Sequence, residues 1–419
     1  MDFEQSLDKY AELIVKVGIN LQEGQPLVMG GSSLTRGMPL ETAPLVRKIV
    51  EYAYKAGAPF VDVLWDDAEI SKIRLQLSDV AALKAHYPSW RTEAIRKALS
   101  EGAALFTMYA TDPDVFAGID PEKLGAAQGQ MQTHAAPALD FIIRNKTNWS
   151  LASMPVEGWA VRVFPELEAA EAITKLWETI FTLCRLDRDD PVAAWEAHIA
   201  DLGTRAHYMN QKQFDALHYR GPGTDLTLGM PRNHYWQSAS KTSAQGVACL
   251  VNIPTEEIFS APDKNRADGT VRAALPLSYS GTLIEDFSVH FKQGRVVQVE
   301  ARKGQEALEH LVASDEGAAR LGEVALVPQS SPIAQTGILF YNTLFDENAA
   351  SHIALGSAPR DSLQGGDTMS DEAFEAAGGN RSLIHVDFMI GSGELDIDGL
   401  DAEGNATPIM RKGEWAFEV

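Results

Sequence analysis

A histidine and an aspartate two positions apart in an apolar run are the most specific chemical signal in this sequence. His385 and Asp387 lie within Leu383–Ile390. In a strand, residues two apart project from the same face, so the two side chains should be neighbours. An imidazole and a carboxylate inside an apolar strand need each other or a cation. The pair therefore indicates either a mutual ion pair or a metal site.

Two other segments place carboxylates beside apolar runs. Glu256 and Glu257 follow a predicted strand and stand between two prolines. Adjacent residues of an extended chain point to opposite sides, so one glutamate can face a pocket while its neighbour takes a different role. Glu323 opens the apolar run Gly322–Val327, where an unpaired buried carboxylate is costly. The alternatives are a solvated loop pair at 256–257 and a strand-edge charge in water at 323.

A second histidine follows a predicted short helix. The segment Asn342–Ser351 has a helical pattern, and His352 comes directly after it. His352 is six residues after Asp346 and five after Glu347, which is not the spacing of one helical face. A structural histidine with a satisfied hydrogen bond is the alternative here.

Together these segments supply three carboxylates and two imidazoles that could bind metal: Glu257, Glu323, His352, His385 and Asp387. Mixed oxygen and nitrogen ligation suits zinc, cobalt or manganese, and carboxylates that can bridge suit a dinuclear site. Two divalent cations about 3.5–4 Å apart activate water and polarise a carbonyl group. That is the chemistry of amide or ester hydrolysis.

The elements of the first half predict an α/β domain with a mostly parallel sheet, because buried strands separated by helices form βαβ units. The predicted strands are Gln25–Gly30, Phe60–Trp65, Ala103–Tyr109 and Trp149–Pro155, and the predicted helices are Thr42–Ala56, Trp90–Glu101, Pro121–Arg144, Pro165–Arg185 and Val192–Leu217.

The second half predicts a β-rich α+β domain that carries the metal site. We expect residues 1–210 to form the α/β domain and residues 211–419 the β-rich domain. Turns are predicted at Gln293-Gly294, Asp398-Gly399 and Asp401–Gly404. The predicted strands are Thr224–Leu228, Gly246–Asn252, Gly269–Leu275, Thr282–Lys292, Arg295–Ala301, Ser382–Ile390, Glu394–Leu400 and Glu414–Val419, with a short helix at Gly304–Ala313.

Composition excludes several classes of protein. The 419 residues carry a net charge of −22, which argues against nucleic acid or an anionic membrane as partner. Two cysteines do not make a disulfide framework. The first residues lack the basic and apolar regions of a secretory signal, and no apolar run is long enough to span a bilayer, so we expect a cytoplasmic protein. Motifs of nucleotide-binding loops, serine hydrolases and single-zinc proteases are absent.

Several long motifs, in order along essentially the whole chain, resemble those of the metallo-aminopeptidase family typified by aminopeptidase T and aminopeptidase S. The resemblance implies an exopeptidase that removes N-terminal residues from peptides with a free N-terminus. It also implies two divalent cations and a homodimer with an enclosed cavity. The motifs are Tyr10–Gly18, Gly223–Thr227, Asn252–Phe259, Gly322–Pro328, Asn342–Ala349, His352–Gly356 and His385–Gly391.

Residue by residue, the resemblance places the family's metal ligands on Glu257, Glu323, His352, His385 and Asp387. By analogy with other dinuclear aminopeptidases, Glu256 beside a ligand is the expected general base. The sequence departs from the family at Pro359, where a tyrosine usually stands, and proline has no hydroxyl to donate. Two alternatives remain: a non-catalytic peptide- or metal-binding protein on the same scaffold, and a metallohydrolase of non-peptide amides.

Overall fold

A computed structural model describes residues 2–31, 34, 36–279 and 282–419. Contacts within the chain define two compact units. Unit 1 comprises the described residues of Met1–Ala197 together with Ser240–Pro254, and unit 2 comprises His198–Ala239 and those of Thr255–Val419. The two domains expected at 1–210 and 211–419 stay a prediction.

Helices and short strands alternate through the first half of the chain, as the apolar runs predict. The helices are α1 (Phe3–Leu13), α2 (Ala43–Lys55), α3 (Ala68–Leu77), α4 (Val80–Ala85), α5 (Trp90–Ser100), α6 (Pro121–Ile143), α7 (Glu157–Val163), α8 (Ala169–Leu183) and α9 (Pro191–Lys212). The strands are β1 (Leu27–Gly31), β2 (Met38–Pro39), β3 (Val61–Val63), β4 (Trp65–Asp66), β5 (Ala104–Tyr109) and β6 (Trp149–Ser153).

Strands dominate the second half. They are β7 (Ala216–Gly221), β8 (Thr224–Gly229), β9 (Ser240–Thr242), β10 (Ala248–Leu250), β11 (Asn252–Ile253), β12 (Ile258–Ser260), β13 (Ala267–Arg272), β14 (Leu277–Tyr279), β15 (Thr282–Lys292), β16 (Arg295–Lys303), β17 (Leu321–Leu326), β18 (His352–Gly356), β19 (His385–Met389), β20 (Asp396–Leu400), β21 (Ala406–Arg411) and β22 (Glu414–Trp415). The helices are α10 (Gln305–Val312), α11 (Pro332–Thr336), α12 (Thr343–Asp346) and α13 (Asp371–Ala376).

Unit 1 is built on a parallel sheet with the strand order β11-β6-β5-β1-β3. Every residue of β1 is buried, and β5 is buried along all but its last residue. Strands covered on both faces read as continuous apolar runs, which is why the sequence predicts them well. The predicted α/β class of this region is confirmed.

Unit 2 contains two antiparallel sheets. The first has the order β12-β17-β18-β19, and the second runs β14-β15-β13-β8-β7-β20-β21-β22 with β16 on β15. The turn predicted at Gln293-Gly294 joins β15 to β16, and both residues have positive φ, 51° and 75°. The β-rich α+β class of this region is confirmed.

One predicted turn in unit 2 is wrong. Asp398-Gly399 lies inside β20 rather than at its end, whereas the turn predicted at Asp401–Gly404 follows that strand. The Asp398 carboxylate is buried and accepts hydrogen bonds from Arg220 and Arg411. These two cations stabilise an Asp-Gly pair in a strand that its local propensity disfavours.

Candidate metal centre

Four of the five predicted ligands lie on one face of the sheet β12-β17-β18-β19. Glu323 of β17 and Asp387 of β19 are both paired with Ala354 of β18. Cross-strand partners share a face, and so do residues two apart in one strand. His352 is two residues before Ala354, and His385 is two before Asp387, so all four side chains emerge on the same side. The predicted shared face of His385 and Asp387 is confirmed.

Small residues leave room between these side chains. Ala354 separates Glu323 from Asp387 in one row of the sheet, and the next row pairs Gly356 with His385. Ala325, paired with His352, completes the set on β17. A methyl group or hydrogen at these positions lets the longer polar side chains meet above the sheet.

The fifth predicted ligand, Glu257, reaches the same place from the residue before β12, which pairs with β17. Its Oε2 is 3.2 Å from Nε2 of His352, and that nitrogen is 3.7 Å from Oε1 of Glu323. On the other side, Nε2 of His385 is 3.5 Å from Oδ1 of Asp387 and 3.7 Å from Oε2 of Glu323. Glu323 therefore lies between two overlapping groups of ligand atoms.

Burial rules out solvated charge as the explanation for these carboxylates. Glu257, Glu323 and Asp387 are 6%, 7% and 7% exposed, and His352 is 1% exposed. The side chain of His385 is 37% exposed, so the cluster opens to solvent on that side. The solvated-loop and strand-edge alternatives are thus wrong for Glu257 and Glu323.

Main-chain carbonyl groups orient both imidazoles. Nδ1 of His352 lies 3.0 Å from the carbonyl oxygen of Ala350, and Nδ1 of His385 lies 2.7 Å from that of Ser357. A carbonyl can only accept a hydrogen bond, so each Nδ1 carries the proton and donates it. In the neutral ring, Nε2 then presents its lone pair to the carboxylates, which is the arrangement of a metal-binding histidine.

The cluster concentrates negative charge that favours a cation. Burial raises the pKa of Glu323, as do the charges of Asp387 and Glu257, although a hydrogen bond with His352 opposes the rise. Burial by itself lowers the pKa of His385, but the charges of Asp387 and Glu323 raise it overall to about 10. For His352, burial likewise lowers the pKa, but the nearby carboxylates of Glu257 and Glu323 outweigh burial and raise the pKa. The carboxylates therefore favour positive charge at both imidazoles.

The residues present fit a divalent cation. Oε2 of Glu257 and Oδ1 of Asp387 are buried and accept no hydrogen bond from the described residues; their neighbours are the imidazole Nε2 atoms at 3.2 Å and 3.5 Å. An unpaired buried carboxylate oxygen costs free energy that a cation would recover. Three carboxylates and two imidazoles form a donor set that zinc, cobalt and manganese accept.

Glu256 is also buried, 5% exposed, so it is not a solvated partner of Glu257. Its Oε2 is 3.3 Å from Nε2 of His198, a residue of α9. The same nitrogen lies 2.9 Å from the carbonyl oxygen of Thr255. The imidazole thus contacts both the main chain and the carboxylate of this segment.

Sequence reasoning missed Asn348, which fixes the backbone of Glu256. Oδ1 of Asn348 accepts the Glu256 N–H at 2.7 Å, and Nδ2 donates to the carbonyl of Leu344 at 3.0 Å and to Oε1 of Glu347 at 3.4 Å. Asn348 is fully buried. No spacing rule links position 348 to position 256, so only the fold reveals this contact.

Glu347 is a further acidic residue beside the cluster. Burial raises its carboxyl pKa well above the usual value, and the charges of Glu257 and Asp387 raise it further. The spacing of five residues between Glu347 and His352 does not predict that Glu347 lies beside the cluster, because His352 begins a strand instead of continuing the helical pattern.

Pro359 lies where related proteins were expected to have a tyrosine, just after β18. It is half-buried and precedes the 3₁₀ turn Arg360–Ser362. Arg360 is buried, and it donates to the carboxylate of Asp371 and to the carbonyl of Met369. The hydrogen bonds of Arg360 therefore fix this segment, and the proline at position 359 supplies no hydroxyl group.

Comparison with known proteins identifies the family. Residues 3–415 match the family described as thermophilic metalloprotease (M29). Aminopeptidase T of Thermus thermophilus is 45% identical over 413 residues, and aminopeptidase AmpS of Bacillus subtilis is 42% identical over 415 residues; each alignment covers 99% of both chains. The structure of wild-type AmpT from Thermus thermophilus superposes with a TM-score of 0.91 at 44% identity, covering 99% of this chain and 100% of that one. Within the described part of this chain, no helix has the length and apolar character to cross a membrane. The chain belongs to the thermophilic metalloprotease (M29) family.

Proposed function

We propose that this metallo-aminopeptidase hydrolyses the first peptide bond of peptides with a free N-terminus, using two divalent cations. The observation that carries the proposal is the convergence of five predicted ligands, four of them from one sheet face, with two buried carboxylate oxygens that accept no hydrogen bond from a described residue. Membership in a metallopeptidase family and full-length relatives named aminopeptidases support the reaction class.

The two overlapping groups of side chains suggest how two ions would be held. Glu257 and His352 would bind one, His385 and Asp387 the other, and Glu323 would bridge them, since its two carboxylate oxygens face the two histidines. Zinc, cobalt and manganese all suit this donor set. When bound, such cations lower the pKa of water and polarise the carbonyl under attack.

The chain's own residues would handle the proton. Glu256, beside the ligand Glu257, is the proposed general base: its carboxylate accepts a proton from the attacking water and later returns it to the leaving amine. His198 and Asn348 hold the side chain and the backbone of Glu256, so the base keeps one position through the cycle. The exposed edge at His385 is the proposed entrance for substrate.

A panel of substrates tests this function. Metal-loaded protein is incubated with free dipeptides, their N-acetyl derivatives and several non-peptide amides. We expect cleavage of the free dipeptides alone. Cleavage of acetylated dipeptides at a similar rate would contradict the exopeptidase assignment, and preference for non-peptide amides would favour the second enzyme class.

The non-catalytic alternative rests on Pro359 alone and is not favoured, because the full-length relatives carry enzyme names. The same panel decides it, since a binding protein cleaves nothing. The expected homodimer and cytoplasmic location stay predictions.

A further inference from the structure

Unit 1 contains a cavity, which we call the arginine cavity, whose lining is unusual in a chain of net charge −22. It encloses about 170 Å³. Three guanidinium groups line it, those of Arg36, Arg74 and Arg91, together with a single carboxylate, that of Asp66. The cavity is therefore positively charged.

Two of the three arginines already have partners. Nη1 of Arg91 is 3.0 Å from Oδ1 of Asp66, and Arg74 donates to the carbonyl of His86. The guanidinium of Arg36 lies 4.6 Å from the centre of the Phe116 ring and near the charge of Asp66, but it makes no hydrogen bond or ion pair with a residue that the structure describes. Its guanidinium therefore keeps its donors for an anion, and the planar fork of an arginine matches a carboxylate.

Much of the remaining wall is apolar, although Ser71, Tyr87, Gln128 and Gln130 also line it. Leu75 and Leu83 form a buried cluster, and Phe116, Leu124 and Ala127 pack against it. All five side chains line the arginine cavity. A ligand that satisfied Arg36 would therefore place an apolar group on this surface, since apolar contact adds affinity there.

A second cavity of about 380 Å³ adjoins the first and shares Arg36, Asp66 and Met131 with it. Its wall includes the ends of β1 and β5, where the strand order of the parallel sheet reverses direction. Small ligands of open α/β sheets bind in such crevices outside the carboxyl ends of the strands. Exposed Glu41, Glu69 and Glu157 give this second wall the opposite charge.

We propose that the joined cavities bind a free apolar α-amino acid. Its carboxylate lies on Arg36, its side chain on the wall formed by Leu75, Leu83 and Phe116, and its ammonium group toward the acidic cavity. This is a second site, within unit 1, and it uses none of the residues of the metal centre. A free amino acid is the kind of product that an aminopeptidase releases, yet the proposal depends on the cavity alone.

Isothermal titration of the metal-loaded chain tests the proposal with ligands that are not substrates of the proposed aminopeptidase. The probes are L-leucine, N-acetyl-L-leucine, which lacks the cation, and 3-methylbutylamine, which lacks the carboxylate. We expect leucine to bind and each analogue to bind at least about tenfold more weakly, because each leaves one charged wall unpaired.

Matched variants assign the binding to the cavity. Arg36→Met keeps an apolar chain over Phe116 but removes the guanidinium, and should weaken leucine binding at least about tenfold. Arg47→Met removes an exposed arginine of α2 in the same unit and should leave the dissociation constant unchanged. Thermal unfolding checks that both variants are folded.

Three results would overturn the proposal: no leucine binding by the wild-type chain, equal binding of leucine and its analogues, or full leucine binding by folded Arg36→Met. If Arg36→Met does not fold, titration of the chain freed of metal by a chelator replaces it, and leucine binding that disappears with the metal would overturn the proposal. Because none of the ligands is a substrate of the proposed aminopeptidase, failure here leaves the proposed peptidase activity untouched, and an inactive enzyme could still bind leucine in unit 1.

Discussion

The sheet β12-β17-β18-β19 and the parallel sheet of unit 1 use their surfaces in opposite ways. The antiparallel sheet carries Glu323, His352, His385 and Asp387 on one face, between alanines and a glycine. In the parallel sheet, β1 and β5 consist of apolar residues, glycine and one threonine up to Tyr109, and charged residues gather beyond the strand ends. Charge within a sheet face is costly unless a cation compensates it, whereas charge at strand ends can remain hydrated.

The charged face, which carries Glu323, His352, His385 and Asp387, depends on the small residues around it. Antiparallel pairing brings residues from positions 323, 352 and 385–387 into adjacent rows, so one cluster is assembled from distant segments. A parallel sheet assembles its crevice from loops instead. Side chains in adjacent rows have little freedom to move, so small substitutions on this face should have large effects on metal binding and activity.

The largest effect should come from removing a ligand on the charged face. His385→Ala should lower kcat/KM roughly 10⁴-fold, because the loss of one bound cation removes several kcal/mol of transition-state stabilisation. Steady-state kinetics with a free dipeptide and elemental analysis of bound metal measure it. Full turnover with unchanged metal content would show that His385 is not a ligand.

A slightly smaller loss should follow from changing the base while keeping the ligands. Glu256→Gln should lower kcat roughly 10²–10⁴-fold, the usual contribution of a general base, and leave the bound metal unchanged. The variant keeps the shape of the side chain and its backbone hydrogen bond to Asn348. A loss of less than about threefold would assign the base elsewhere.

Filling the space on the charged face should show whether metal binding needs that space as well as the ligand side chains. Ala354→Leu adds three carbons between Glu323 and Asp387 without removing a ligand. Overpacking costs about 1–3 kcal/mol, so metal affinity should fall roughly 5–150-fold. Ile353→Phe adds the same number of carbons on the opposite face of β18 and should lower the unfolding temperature without lowering metal affinity. Equal metal affinities in the two variants would contradict the role of the small residues.

The smallest of the effects on turnover should come from the residue that holds the base. Asn348→Ala removes the hydrogen bonds to the Glu256 N–H and the Leu344 carbonyl, and should lower kcat roughly 10–100-fold while KM changes little. Asn210→Ala removes a comparable pair of hydrogen bonds to the backbone of Trp236 within unit 2. If both variants lose the same stability and the same kcat, Asn348 has only a structural role.

Local pattern predicts the parallel sheet and the pair on β19 because both signals lie within one strand. Continuous apolar runs predict β1, β5 and β6 to within two residues. The same reasoning failed for β18, where five buried residues after a helical pattern have no periodicity that separates strand from helix.

Contacts between distant segments limit how much of the site can be predicted from the sequence. Residue types and their apolar surroundings supplied the five ligand candidates, the family resemblance assigned them as ligands, and the structure brings the five together. Analogy with other dinuclear aminopeptidases supplied Glu256. None of these signals could supply Asn348 or His198, whose partners lie 92 and 58 positions away along the chain. The predicted strand Glu394–Leu400 includes Asp398-Gly399, but the turn predicted there is wrong, because the stabilising arginines come from β7 and β21 and local pattern does not show them.

We propose that one face of β17, β18 and β19, together with Glu257, binds two catalytic cations. Metal content per chain, measured with dipeptide cleavage in wild type and in Glu323→Gln, tests it most directly. We expect about two ions and cleavage of free dipeptides in the wild type, with both lost when the proposed bridging carboxylate is neutralised. A wild type active without bound metal, or a Glu323→Gln variant that keeps both ions and full activity, would contradict the claim.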